Sequence, residues 1–297
     1  MSRPSEPWVP RQHGAWAMVL APVTVGALTA GFRPRHLLLI AFWLVGYLAF
    51  MAARGWWRAA RGREARQGGQ ATQGGQATPG ESTVQRRAPR DVGAWPRASV
   101  TYALVAAALG LGLALPQPRL LLWVPAFAVL VAASAAAVTR RRERTVLNDL
   151  VMIVASALMA VVAAGVTRSA GSPDGVAWSF GVVTGAAALL PPGAQDATAW
   201  LVAAVLAAYF GGTVFYVKTM IRQRGQPAWY AASVAYHAVA AGLGFWVGPW
   251  FGAVGLVTLA RAALVPRLWP RARPVFIGVG EIVVTLVLGV VTVVGLG

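Results

Sequence analysis

Cysteine is absent from the 297-residue chain. That excludes disulfides, thiol catalysis, cysteine-ligated zinc and iron–sulfur clusters. Lysine is nearly absent as well: of 26 cationic residues only Lys218 is not arginine. Acidic residues number nine and histidines three. Charged residues make up 12% of the chain, about half of the quarter usual in soluble domains. With 57% hydrophobic residues and a mean hydropathy of +0.60, an ordinary water-soluble enzyme is excluded. No P-loop, His-Glu-x-x-His, Gly-x-Ser-x-Gly or EF-hand pattern occurs. A multi-histidine metal site would need His13, His36 and His237, and the spans proposed below put His36 at the face opposite His13. No metal or other cofactor is therefore expected.

What the chain has in abundance is apolar sequence in runs long enough for a bilayer, which takes about 20 residues per helix. Such runs lie near 15–31, 37–54, 98–115, 120–139, 147–166, 198–217, 228–247, 250–265 and 275–296. A shorter one, 176–190, precedes Pro191-Pro192. The expected fold class is an all-α integral membrane protein, a polytopic bundle of nine transmembrane helices, or ten if 176–190 spans. Gly110 with Gly112, Gly211 with Gly212, and Gly242 with Gly244 read as close helix packing. The expected organisation is one transmembrane domain over 1–297, interrupted at about 58–97 by a flexible cytoplasmic Gly/Gln/Arg-rich linker. That stretch contains the tandem hexapeptide QGGQAT, Gln67–Thr72 and Gln73–Thr78, which buries too little apolar surface to offset the entropy of ordering.

The net charge of +17 is a topology signal before it is anything else. If 176–190 does not cross and the N-terminus is cytoplasmic, inner loops hold 22 cations against four outside, Arg33, Arg35, Arg119 and Arg168. If it crosses, the split is 15 to 11. Cytoplasmic loops carry the Lys/Arg excess, so nine spans are favoured, in the cytoplasmic (inner) membrane, with the N-terminus cytoplasmic and the C-terminus extracytoplasmic. Met1–Pro10 is polar and proline-rich and carries no signal-peptide pattern, so the first apolar run is expected to persist as a helix. In a soluble protein this charge would point to nucleic acid. Without a base-reading module, the Arg clusters flanking the linker read instead as contacts to anionic membrane lipids.

Ionisable and polar groups within membrane helices are costly and mark function by default. The candidates here are Gln12, His13, Arg54, Asn148, Asp149, Lys218, Thr219, Arg222, Gln223, Arg224, His237 and Glu281. His237 and Glu281 lie roughly 10–14 Å along their helices from the inner face, at about 1.5 Å per residue. Each candidate also has a purely structural role open to it. Asn148 fits a helix N-cap, with Asp149 at the positive end of the dipole. Lys218, Arg222 and Arg224 can snorkel to headgroups, His13 can hydrogen-bond at the interface, and Glu281 can sit in an ion pair. Because all lie toward one side, the expectation is a polar cavity open to the cytoplasm, lined by the first, second, fifth, sixth, seventh and ninth helices. Cations outnumber carboxylates there, so an isoprenoid phosphate, a lipid or another phosphate-bearing molecule is the expected ligand.

Three stretches, Gln12–Met18, Glu143–Asp149 and Gly212–Arg222, resemble motifs of the YwiC-like family of bacterial membrane proteins. The order of elements is also similar, more remotely, to the UbiA superfamily of intramembrane prenyltransferases. That resemblance implies nine helices and Asp-rich motifs after the second and sixth, the latter reading Arg-Asp-x-x-x-Asp-Arg and holding Mg²⁺ on a prenyl diphosphate. Its counterpart here is Lys218-Thr219-Met220-Ile221-Arg222-Gln223-Arg224, in which the cations match and both carboxylates are replaced. The first motif has no counterpart, since no acidic residue occurs between Pro7 and Arg63. Thr219 and Gln223 do not supply the anionic oxygens Mg²⁺ needs. The resemblance therefore implies a metal-independent UbiA-like scaffold that binds an anionic ligand. The alternatives are a divergent membrane enzyme of the prenyltransferase type, using His237, Glu281, Asp149 or His13 in acid–base chemistry, and a proton-coupled small-molecule transporter.

Overall fold

The computed structural model describes residue 8 and residues 13–72, 94–140, 145–169 and 189–297. Among them there is no strand. The helices are α1 (His13–Thr29), α2 (Arg35–Thr72), α3 (Ala94–Ala114), α4 (Val124–Thr139), α5 (Val146–Ser169), α6 (Ala197–Val217), α7 (Pro227–Val247), α8 (Pro249–Leu268) and α9 (Pro274–Leu296). A 3₁₀ turn, Pro118–Trp123, leads into α4, and a π turn, Lys218–Arg222, extends α6. Among the described residues eight helices are long and apolar enough to cross a membrane, and the apolar part of α1, Trp16–Thr29, is shorter. The protein is thus an all-α polytopic membrane protein.

Helix starts follow local chemistry. Pro227, Pro249 and Pro274 open α7, α8 and α9, where a missing N–H costs nothing. Asp196 caps α6, accepting from the Ala199 N–H at 3.2 Å. The cap of α5 is not Asn148: Thr145 Oγ1 accepts the Asn148 N–H at 3.4 Å, and the helix begins three residues before Asp149. Asn148 lies within the first turn and is buried. The stretch read as linker from residue 58 is helical as far as Thr72 and again from Ala94. Residues 73–93 between them, like 176–188 of the doubtful short run, lie outside the described residues.

The chain divides into two units. The first holds residues 42–109, the later part of α2 and most of α3, with Trp8. Here Gly55 gives Trp95 room: a Cβ at Gly55 would lie 2.1 Å from the indole. The Tyr102 hydroxyl donates to the Trp8 carbonyl at 2.7 Å.

The second unit holds residues 12–41 and 110–297. At its centre is α5, whose run from Ala155 to Val166 is almost wholly buried. A helix that is apolar on all sides belongs in the interior of a bundle, and the Ala and Gly content of α5 lets neighbours approach closely. A Cβ at Gly26 of α1 would stand 2.5 Å from the Ala160 Cα. The adjacent ends of α5 and α6 lie together, with a Gly165 Cβ 2.4 Å from the Pro192 carbonyl oxygen. His36, in the first turn of α2, is fully buried. Its Nδ1 accepts from the Arg33 N–H at 2.8 Å and its Nε2 lies 3.0 Å from the Ala163 carbonyl oxygen.

The surface is inside-out relative to a soluble bundle. On α9, Val279, Val283, Leu286, Val290 and Val294 are exposed while Glu281, Thr285 and Thr292 are buried. On α7, Trp246 is 87% exposed and Ser233 and His237 are buried. Apolar stripes facing out and polar groups facing in suit a lipid solvent. Of the glycines read as packing sites, Gly211, Gly212 and Gly244 have neighbours that a Cβ would strike, and Gly242 has open space.

Candidate functional site

Among the described residues, two ion pairs lie in the second unit. The first follows from hairpin register. Arg261 is seven residues before the end of α8 and Glu281 seven after the start of α9, so about 1.5 Å per residue puts both at the same level, about 10 Å from the turn. Arg261 Nη1 meets Glu281 Oε1 in direct contact. Arg261, counted among loop cations from sequence, is thus an intrahelical residue. The second carboxylate oxygen of Glu281 faces α6: Thr213 donates to it at 2.8 Å, and the Tyr209 hydroxyl is 3.1 Å away. Tyr216, one turn further along α6, lies under the Arg261 guanidinium with Cζ 4.4 Å from the ring centre. The Thr285 hydroxyl turns back to the Glu281 carbonyl at 2.7 Å. Glu281 is 5% exposed.

The second pair joins α5 to the end of α6, with Lys218 Nζ 2.6 Å from Asp149 Oδ2. The π turn places Lys218. Its carbonyl accepts from the Gln223 N–H, five residues on, at 2.7 Å, and the added residue widens the helix. As a result Lys218, Thr219 and Met220 are all buried in succession. Lys218 turns to Asp149. The Thr219 hydroxyl lies 2.9 Å from the Phe215 carbonyl and 3.2 Å from that of Trp229, and Met220 packs with Tyr216, Ala262 and Ile277. Asn148 stands beside this pair in sequence and accepts from the Ser134 hydroxyl at 3.0 Å. The Asp149 side chain is about a quarter exposed, so Asp149→Ala is expected to cost about 1–3 kcal/mol, measured as a lower denaturation midpoint in detergent.

His237 is 3% exposed, its Nδ1 lies 2.7 Å from the Ser233 carbonyl, and its ring packs on Gly212. Arg222 and Arg224 are exposed and Gln223 is half-buried. Arg224 Nε donates to the Met220 carbonyl at 3.0 Å, closing the end of the helix. Arg54 belongs to the other unit, with its guanidinium 5.5 Å from the Phe50 ring centre. Gln12 lies outside the described residues, and of His13 only its place at the start of α1 is described. Among the described residues no three His, Asp or Glu side chains lie close enough to hold a metal ion.

A cavity of about 870 Å³ opens beside the first pair, between α6, α8, α9 and the α8–α9 turn. Its wall combines Arg261, Arg271 and Arg273 with Val265, Leu268, Phe276 and Ile277, with no carboxylate among the described residues. The helices expected to line a cavity were the first, second, fifth, sixth, seventh and ninth. This one uses α6 and α9 with α8, which was left out. None of the twelve sequence candidates lines it; Glu281 reaches it only through Arg261. Sequence reasoning missed Arg261, Tyr209, Thr213 and Tyr216. Two signals carry them: the equal spacing of Arg261 and Glu281 from the 269–273 turn, and the i, i+4, i+7 spacing of 209, 213 and 216 on one helical face.

No curated protein and no solved structure matches the chain. The model of a family described as YwiC-like protein matches residues 9–164, a stretch from α1 through most of α5 that includes Asn148 and Asp149 and stops short of Lys218, Arg261 and Glu281. With that match covering more than half of its length, the chain belongs to the YwiC-like family.

Proposed function

We propose that this membrane protein binds an anionic amphiphile, a lipid or isoprenoid with an acidic headgroup, in the cavity between α6, α8 and α9, by direct arginine contacts and without a metal. The observation that carries this reading is the wall itself: exposed Arg271 and Arg273, no carboxylate among the described lining residues, and an apolar remainder. Guanidinium groups favour phosphate and carboxylate oxygens, and Val265, Leu268, Phe276 and Ile277 suit a hydrocarbon chain. The concentration of arginines on the loops at this end agrees with a cavity opening to the cytoplasm, the protein lying in the cytoplasmic membrane.

The test is lipid binding by the purified full-length protein. Native mass spectrometry is expected to show phosphatidic acid retained in preference to phosphatidylcholine. Arg271→Ala/Arg273→Ala is expected to lower that retention at least five-fold, with the residual binding less sensitive to salt. Equal retention of both lipids by the wild type, or no effect of the double substitution, would overturn the reading.

A further inference from the structure

Polarity and burial both change along the cavity. At its rim Trp269, Arg271, Arg273 and Phe276 are exposed, and at its inner end Tyr216 and Ile277 are buried. Accessible positive charge is confined to the rim. All three guanidinium nitrogens of Arg261 are buried while its side chain is 13% exposed, so what it shows the cavity is carbon. A glycine completes the inner wall. Arg273, Phe276, Ile277 and Gly280 line the cavity from one face of α9, at i, i+3, i+4 and i+7, and Gly280 stands about 10 Å along the helix from Arg273. Glycine inside a helix costs stability, and membrane helices offset that by close packing. Gly26, Gly165 and Gly244 fit this pattern, since a Cβ at each would strike the backbone of a neighbouring element. Gly280 does not: nothing among the described residues lies within 4 Å of a Cβ there. What its missing side chain provides is room at the inner end of the cavity.

Resting on the binding reading above, we propose that the ligand lies with its acid group at the rim and its chain inward, and that Gly280 sets how much of the chain the site accepts. The acid group stays at the turn with Arg271 and Arg273. Further in, the described wall offers it no accessible cation, and burying a charge without partners is costly. The chain passes Phe276 and Ile277 and comes to rest against the bare backbone of Gly280 and the carbon atoms of Arg261. The ligand class is thus an acidic amphiphile whose hydrocarbon begins at the headgroup and is slender enough to pass a helix face without a side chain. An acid with little or no chain leaves the space at Gly280 unused and gains nothing from it.

The test titrates decyl phosphate and, separately, butyl phosphate into the full-length protein in dodecyl maltoside at constant ionic strength, read by calorimetry. Micelle partition, measured without protein, corrects the free concentration of each ester. The wild type is expected to bind decyl phosphate at least ten-fold more tightly than butyl phosphate. Gly280→Leu fills the open space and is expected to weaken decyl phosphate binding about ten-fold, or about 1.4 kcal/mol, the contribution of roughly two methylene groups. Butyl phosphate binding is expected to change less than two-fold. Gly278→Leu is the control: a Cβ there also meets nothing within 4 Å, but Gly278 does not line the cavity, so neither ester is expected to bind differently. If the wild type binds neither ester, or Arg271→Ala/Arg273→Ala changes neither, the binding reading fails and this inference with it. If that double variant weakens binding but Gly280→Leu leaves decyl phosphate unchanged, or weakens both esters equally, this inference alone is overturned. Equal wild-type affinity for the two esters overturns it as well and assigns the site to a free anion. Should Gly280→Leu not fold, Gly280→Ala carries the test, with decyl phosphate binding expected to weaken two- to four-fold and no change overturning the inference.

Discussion

Glu281→Ala is expected to cost about 3–5 kcal/mol of stability, the price of leaving a buried charge without its partner. The carboxylate is 5% exposed and pairs with Arg261 from α8, so its removal strands a guanidinium between two helices. Thr213 and Tyr209 lose their acceptor in the same step. The effect should exceed that of Asp149→Ala, whose carboxylate keeps water contact. A paired replacement separates charge from shape. In Arg261→Met/Glu281→Leu both charges go together, and most of the lost stability is expected to return, since apolar substitutes for a buried pair are often neutral. Urea or thermal denaturation of the three variants in one detergent checks the ordering. Equal destabilisation by the single and double variants would show that the pair holds α8 to α9 by shape and not by charge compensation.

Gly26→Leu is expected to be the most damaging change away from any charge. A Cβ at Gly26 would stand 2.5 Å from the Ala160 Cα and 2.6 Å from the Ala160 carbonyl oxygen. Both are backbone atoms of the central helix, so no side chain can rotate aside, and α1 must move off α5. Overpacking of this kind costs about 3 kcal/mol or more, at the upper end of its usual range. Gly242→Leu is the control. Nothing lies within 4 Å of a Cβ there and Gly242 is exposed, so the change is expected to be close to neutral. Thermal unfolding of both variants in the same detergent tests the contrast, and a Gly26→Leu protein as stable as the wild type would show that α1 does not need this contact.

The helices were readable because each answers to a local quantity. A membrane helix satisfies its own backbone hydrogen bonds, so an apolar run bounded by prolines is enough to place it. The spans expected from 198, 228, 250 and 275 begin one residue later than α6 to α9 do. Glu281 was legible for the same reason, since one carboxylate within an apolar run has to be paired. Its partner was not legible. Arg261 lies inside the expected run, four residues before Val265, but was grouped with the cations near the helix end, and only the packing of α8 on α9 brings it to Glu281. Asn148 illustrates a second limit. The sequence offered Asn148 as the cap; in the fold Thr145 takes that place and Asn148 meets Ser134 on α4, which is a tertiary contact.

The sequence by itself determined the solvent: with 57% hydrophobic residues, nine acids and apolar runs of bilayer length, the chain had to fold as helices in lipid. Through the absence of cysteine it also removed disulfides and thiol chemistry. Only the tertiary structure decided which polar groups meet. Helix formation depends on neighbours within a turn, whereas the Arg261–Glu281 and Lys218–Asp149 pairs depend on the packing of separate helices, and a π turn of five residues sets the second. Packing by small residues on buried faces is set by shape over many contacts at once, and no single stretch of the chain records it.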